Sequence, residues 1–256
     1  MNDIEMAKMQ REAERKKRGG LSVFRLKTIG AVFMALSVAA TTIVPLLFGE
    51  PSADNMTGLT VAVVCEIASW CAVPIYAWLV YNGWKHTSNR TRYGSRLFIA
   101  ACLAALPYDR IATGQWFDAH THNPVWGLFF AYIVLTAIDW VARTYSGVAR
   151  WMLTVLLIVA GAAWNVLLQI GVSQRVMYTG VVALAFVLVF YFLERHENTM
   201  MFTAGLLGAV MCITPGVGVA FLHYRRDELG YRHSWTKWVF YALYPVMLLI
   251  GALLVA

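Results

Sequence analysis

The chain reads as an all-α, polytopic transmembrane helix bundle of about eight spans, with the seventh a candidate for a broken or re-entrant helix. Three observations predict this class. Of 256 residues, 59% are hydrophobic and only 14% charged, whereas a soluble domain carries roughly 25% charged residues. Mean hydropathy is +0.59. The charges punctuate apolar runs of the length that crosses a bilayer core. One bundle accounts for the whole chain, with residues 1–24 as a basic tail and residues 25–256 as the membrane domain.

The net charge of +7 is concentrated at the start. Lys8, Arg11, Arg15, Lys16, Lys17, Arg18, Arg25 and Lys27 precede or open the first span. The tail is too polar for a signal peptide, whose apolar core follows a much shorter basic stretch. It suits a cytoplasmic segment under the positive-inside rule, with anionic lipid as an added contact. No aromatic interleaving accompanies these charges, so nucleic acid is not an expected partner. Cys65, Cys71, Cys102 and Cys212 lie inside apolar runs at no metal-binding spacing and read as small core residues.

Span 1 covers about 26–48, with Pro45 near its end. The loop 49–57 holds Glu50 and Asp54 but no Lys or Arg, which suits the outside. Span 2, about 58–78 and extending to 83, contains Glu66 with Ser69 one turn on. A carboxylate at membrane depth is expensive and marks a candidate functional residue; the competing reading is a hydrogen-bonded contact between helices. Pro74 should kink this helix and free carbonyl groups. A basic loop follows, with Lys85, His86, Arg90, Arg92 and Arg96, on the side of the N-terminus. Span 3, about 93–106, is short and ends at Pro107-Tyr108-Asp109.

The stretch 109–123 is polar and includes Asp109, Arg110, Asp118, His120 and His122. The two histidines lack a ligand set to complete a site, so no metal is expected. Span 4 (about 124–141) carries Asp139 near its end. Span 5 (about 151–171) holds Asn165 and Gln169, which read as hydrogen bonds between helices. Span 6 (about 176–193) runs into the charged turn 194–197. Span 7 begins near Thr199 and is interrupted by Thr214-Pro215-Gly216-Val217-Gly218. Span 8 is about 238–255.

Eight simple crossings, the favoured count, put both termini inside, with 15 of the 21 Lys and Arg inside and six outside. Four of those six crowd the loop before span 8, against the positive-inside rule. A re-entrant span 7 turning at Pro215 would return that loop to the cytoplasm and leave the C-terminus outside.

A set of short motifs carries a family resemblance. Leu26-Lys27 opens span 1, with Met34 further along. Pro74 sits in a run ending Tyr81-Asn82-Gly83. His86-Thr87-Ser88-Asn89 leads to Tyr93, Arg96-Leu97 and Pro107-Tyr108. Asn123 opens span 4, and the last helix reads Tyr241 to Ile250 through Tyr244-Pro245. In order and spacing these resemble the TraX family of integral membrane proteins, named for the protein that acetylates the N-terminus of conjugative pilin. The resemblance covers most of residues 25–250. It implies a bacterial inner-membrane protein that passes acetyl from acetyl-CoA to a pilin or another envelope acceptor. The chain also departs from the family. An aspartate–histidine pair is usual where Ser37 and Val38 stand, an arginine where Trp70 stands, and a histidine where Met247 stands. Serine cannot replace an ionised carboxylate, and valine and methionine cannot move a proton.

Acetylating an amine needs a held thioester, a proton acceptor, and donors for the developing oxyanion. Lys85, Arg90, Arg92 and Arg96 suit the phosphates of acetyl-CoA. His86 among them is the first candidate base, with Glu66, Tyr108 and Asp109 as further catalytic candidates and His223 as a second base candidate. Asn123 and Tyr244 are the candidates for contact with the acceptor. The basic loop also fits an ordinary positive-inside loop with a solvated histidine. Two other classes compete with the enzyme. One is a catalytically degenerate relative acting as a scaffold in a membrane complex. The other is a transporter, suggested by Glu66 and the broken span 7, although no internal repeat is visible.

Overall fold

The computed structural model describes residues 6, 20–173, 177–226, 228–231, 233 and 235–255; the six basic residues between Lys8 and Arg18, and Arg232, lie outside these. Ser22 accepts from the Arg25 N–H at 3.4 Å and starts α1 (Val23–Thr41). A short α2 (Ile43–Phe48) follows and stops at Gly49, φ 81°, in the left-handed region that glycine adopts freely. Asn55 ties the next turn: its amide donates to Phe48 O at 2.6 Å, and its side-chain oxygen caps α3 (Met56–Ser69) through the Gly58 N–H at 3.1 Å.

After a break at Trp70–Cys71, α4 (Ala72–His86) continues in the same general course; Met56–His86 counts as one 31-residue apolar span. The break lies upstream of Pro74. Proline lacks an N–H and clashes with the carbonyl four residues back, so it fits a helix best in its first turn. The chain therefore restarts at Ala72 and places Pro74 in that turn.

Asn89 caps α5 (Arg90–Thr113) through the Arg92 N–H at 2.9 Å. This helix corrects the expected short span 93–106. It runs through Pro107 for 24 residues and ends at Gly114, φ 75°. Asn123 and Pro124 start α6 (Pro124–Thr144), and α7 (Gly147–Leu167) follows a two-residue turn. Asn165 is buried, but its amide donates to Gly161 O of its own helix at 2.8 Å; Gln169 lies past the helix end at φ 47°. Among the described residues neither makes the expected hydrogen bond between helices. A two-residue antiparallel pair, β1 (Val172–Ser173) with β2 (Met177–Tyr178), leads into α8 (Thr179–Phe192).

The chain then forms α9 (Glu197–Met211), α10 (Ile213–His223) and α11 (Thr236–Leu254). α9 and α10 are an antiparallel hairpin. The Arg225 guanidinium at its base reaches the Glu197 carboxylate at 3.0 Å. Near the tip the backbones meet: a Cβ on Gly208 would lie 2.6 Å from Gly216 N. The turn falls at Cys212, three residues before the expected Pro215, which again occupies the first turn of the following helix. At about 1.5 Å per residue, the two helices rise about 22 and 16 Å, less than the roughly 30 Å of a bilayer core.

Five helices are long and apolar enough to cross a membrane: α1, the joined α3–α4, α6, α7 and α11. The largest core cluster joins Ile75, Trp78, Leu135, Ile138, Phe186 and Phe190 from α4, α6 and α8. A smaller one joins Val38, Ala104, Tyr244 and Leu248 from α1, α5 and α11.

The helix ends sort into two faces. On the first, Leu21 N donates to Tyr224 O at 2.8 Å and Val23 N to Glu228 O at 2.9 Å, while Lys85 pairs with Glu194. On the second, Gly171 N donates to His122 O at 2.8 Å, and Gly251 packs against Val38, Thr42 and Ile111.

The tip of the hairpin docks on the α3–α4 break. The Cys71 thiol donates to Thr214 O at 3.0 Å, and Gly218 lies against the Cys71 carbonyl and Pro74. A Cβ at Gly218 would sit 2.6 Å from Pro74 Cγ. Replacing Gly218 with alanine is therefore expected to lower stability by about 1–3 kcal/mol through overpacking against backbone, read as a lower thermal midpoint in detergent.

Candidate functional site

One polar cluster inside the bundle is centred on Glu66, which is only 4% exposed. Its Oε2 accepts from the Ser37 hydroxyl at 3.0 Å, and its Oε1 accepts from the Trp70 indole N–H at 3.2 Å. Ser37 comes from α1. Trp70 lies four residues after Glu66, one helical turn on, so its indole returns over the carboxylate. Tyr108 of α5 and Tyr244 of α11 both lie within electrostatic reach of Glu66 and of each other. The site is thus assembled from four helices. A buried carboxylate is costly unless hydrogen-bonded, and here two donors meet it.

The structure brings together three of the residues singled out from sequence: Glu66, Tyr108 and Tyr244. Ser37 and Trp70, read from sequence only as departures from a family pattern, join them as ligands of the carboxylate. The i, i+4 spacing of Glu66 and Trp70 was the available signal for one; nothing in the local sequence ties Ser37 to Glu66.

Asp109 and Asn123 lie at the second face and hold the loop between α5 and α6. Asp109, 2% exposed, accepts from the Thr121 hydroxyl at 2.6 Å and the Asp118 N–H at 3.1 Å. Asn123, fully buried, donates to Ala101 O at 2.9 Å and accepts from the Val125 N–H at 3.1 Å. Asp118 in turn accepts from the His120 N–H at 2.9 Å, which holds its carboxyl below the ordinary carboxylate range. Such a group contributes stability above its unfolded value and loses it as pH falls through the lower folded value. Acidification through that window is expected to lower the protection of the His120 amide relative to its intrinsic exchange rate at the same pH. Among the described residues no group of three or more His, Cys, Asp or Glu is arranged to hold a metal.

The basic residues lie at the first face, away from Glu66. His86 ends the same span as Glu66, about 30 Å of helical rise further on, exposed, with Nδ1 2.9 Å from Asn82 O. His223 ends α10, with its ring packed edge-on against Tyr224. The four cations grouped from sequence fall into two pairs. Lys85 bridges to Glu194 after α8. Arg90 bridges to Asp139 of α6 at 2.5 Å and stacks over Trp84 at 4.4 Å; Arg143 shares Asp139 at 3.0 Å. Arg92 and Arg96 make no ion pair among the described residues. Arg96 lies over the Trp238 ring of α11 at 5.0 Å.

No family model, curated protein or solved structure matches this chain.

Proposed function

We propose that this chain is a TraX-like membrane acyltransferase that takes acetyl from acetyl-CoA and places it on an amine of a pilin or another envelope acceptor, with Glu66 as the proton acceptor. The observation that carries this reading is convergence. Ser37, Trp70 and Tyr244, drawn from the resemblance at widely separated points of the chain, gather around one buried carboxylate. Val38 and Met247, which stand where the family has histidines, lie in the small cluster beside it. The site position is kept while the ionisable group has moved to Glu66.

In this reading the amine nitrogen attacks the thioester carbonyl; a C–N bond forms and the C–S bond breaks. Glu66 takes the proton from nitrogen, and CoA leaves as a thiolate that is protonated on release. The hydroxyls of Tyr108 and Tyr244 are the donors available to the developing oxyanion. The test is calorimetry with acetyl-CoA on detergent-purified protein, followed by transfer of labelled acetyl to a peptide amine. Micromolar binding and label transfer are expected; no heat at millimolar acetyl-CoA would overturn the reading.

The proposal includes a topology of seven crossings, α1, α3–α4, α5, α6, α7, α8 and α11, plus the re-entrant hairpin α9–α10, in place of eight crossings. Its support is charge. With the hairpin returning to the first face, 12 of the 13 Lys and Arg among the described residues fall on that side and only Arg110 on the other. The positive-inside rule then makes the first face cytoplasmic. In a variant freed of native cysteines, Leu229→Cys should react with an impermeant maleimide from the same side as Thr87→Cys, and Val255→Cys from the other. Labelling of positions 229 and 255 from one side would refute it.

A second reading, a catalytically degenerate scaffold, is favoured by the ion pairs that occupy Lys85 and Arg90 and by the absence of a histidine at the Glu66 centre. A stoichiometric partner recovered from native membranes, with no acetyl-CoA binding, would support it.

A further inference from the structure

Among the described residues five cations of the first face already have acids, Arg226 with Glu228 at 3.9 Å among them. Lys85 has Glu194, Arg90 and Arg143 share Asp139, and Arg225 has Glu197. Arg92 and Arg96 differ. They stand four residues apart on α5, so they share one face one turn apart. Like charges at this spacing repel, and an arginine cannot shed its charge by deprotonating. Arg96 lies about 9 Å along α5 from its start, half-buried. Around it are aromatic groups: the Trp238 ring at 5.0 Å and, within electrostatic reach, Tyr93 and Tyr241. Among the described residues neither guanidinium has a carboxylate partner. Two forked donors on one helix face, beside an indole at the rim of an apolar bundle, are matched by an anion with several oxygens and an adjoining apolar or ring group.

We infer that Arg92, Arg96 and Trp238 form a phosphate-ester binding site in the seam between α5 and α11 at the first face. Either the headgroup of an anionic phospholipid or a soluble nucleotide phosphate offers this chemistry. The soluble arm rests on the acyl-transfer reading; the lipid arm stands without it. Lys85 and Arg90, grouped with these arginines from sequence, belong to the fold's own ion pairs and not to this site.

The test measures binding alone, so it is separate from catalysis. The thermal midpoint of the purified full chain is followed as phosphatidylglycerol or phosphatidylcholine is added to the detergent, and separately as adenosine 3′,5′-bisphosphate is added. A rise of about 5 °C with the anionic lipid over the neutral one identifies the lipid source; a similar rise with the bisphosphate identifies the soluble source. In either case Arg92→Gln, on an exposed side chain, should weaken the apparent affinity about tenfold, and Arg96→Gln should do at least as much. Lys85→Gln should leave it unchanged. Absence of a rise with both probes would overturn the site. So would full retention of the rise in both Arg92→Gln and Arg96→Gln, whatever Lys85→Gln does.

Discussion

Glu66→Gln is expected, on the proposed acyl-transfer reading, to cut acetyl transfer by about 10²- to 10⁴-fold, the range that a positioned proton acceptor supplies, while leaving the fold intact. The amide is isosteric and can keep both contacts: its oxygen accepts from the Trp70 N–H, and its NH2 donates to the Ser37 hydroxyl. Both partners lie within hydrogen-bond distance of the present carboxylate, at 3.2 and 3.0 Å. The amide cannot accept a proton from an amine at neutral pH. The expected profile is a collapse of kcat with acetyl-CoA affinity nearly unchanged, because no phosphate-binding group has moved. Single-turnover transfer of labelled acetyl reads the first quantity and calorimetry the second. Unchanged turnover in Glu66→Gln would remove Glu66 from the chemistry. Glu66→Leu is a different experiment. It strands the Ser37 hydroxyl and the indole N–H in a buried site, and each stranded group costs about 1–3 kcal/mol.

Arg225→Met is expected to destabilise the protein by about 3 kcal/mol, the lower end of the range for breaking one side of a buried pair. The lower end applies because Glu197 keeps some solvent contact, with 26% of its side chain exposed against 9% for Arg225. Arg225 joins the two ends of the α9–α10 hairpin through Glu197, donates to Leu222 O at 2.9 Å, contacts Met201 Sδ at 3.3 Å and lies 5.5 Å over the Trp78 ring. Methionine preserves much of the volume and removes the charge, so the loss reports the ion pair and the left-over carboxylate. The Arg225→Met/Glu197→Gln double variant should recover part of it, as a double-mutant cycle requires when the two act together. Unfolding in detergent measures both. A change within about 0.5 kcal/mol, the size of an ordinary surface substitution, would show that the hairpin is held elsewhere.

Helix positions were largely legible from local sequence, and breaks only in part. The prolines at 74 and 215 announced interruptions, but each was expected at the proline. Both breaks fall three to four residues earlier, so that each proline occupies a helix's first turn, where its missing N–H costs least. Pro107 carried the same signal, yet α5 continues through it to Gly114. Polar residues from Asp109 to Asn123 read as one loop. In the structure the first of them extend the helix, and Asp109 folds the remainder back by accepting from Thr121 and Asp118.

Composition and the spacing of charges by themselves determined that this chain forms apolar helices suited to a membrane, with cations gathered at their ends. Those properties reside in single segments, where hydrophobicity and length are local quantities. Only the tertiary structure decided that α9 and α10 fold back on each other, that Lys85 and Arg90 are taken by Glu194 and Asp139, and that Ser37 and Trp70 converge on Glu66. The Lys85–Glu194, Arg90–Asp139 and Ser37–Glu66 pairings each span 29 residues or more, set by which faces pack and which buried charges find a partner; the Glu66–Trp70 contact and the α9–α10 turn are local in sequence, and there packing decided only which of the available local arrangements forms.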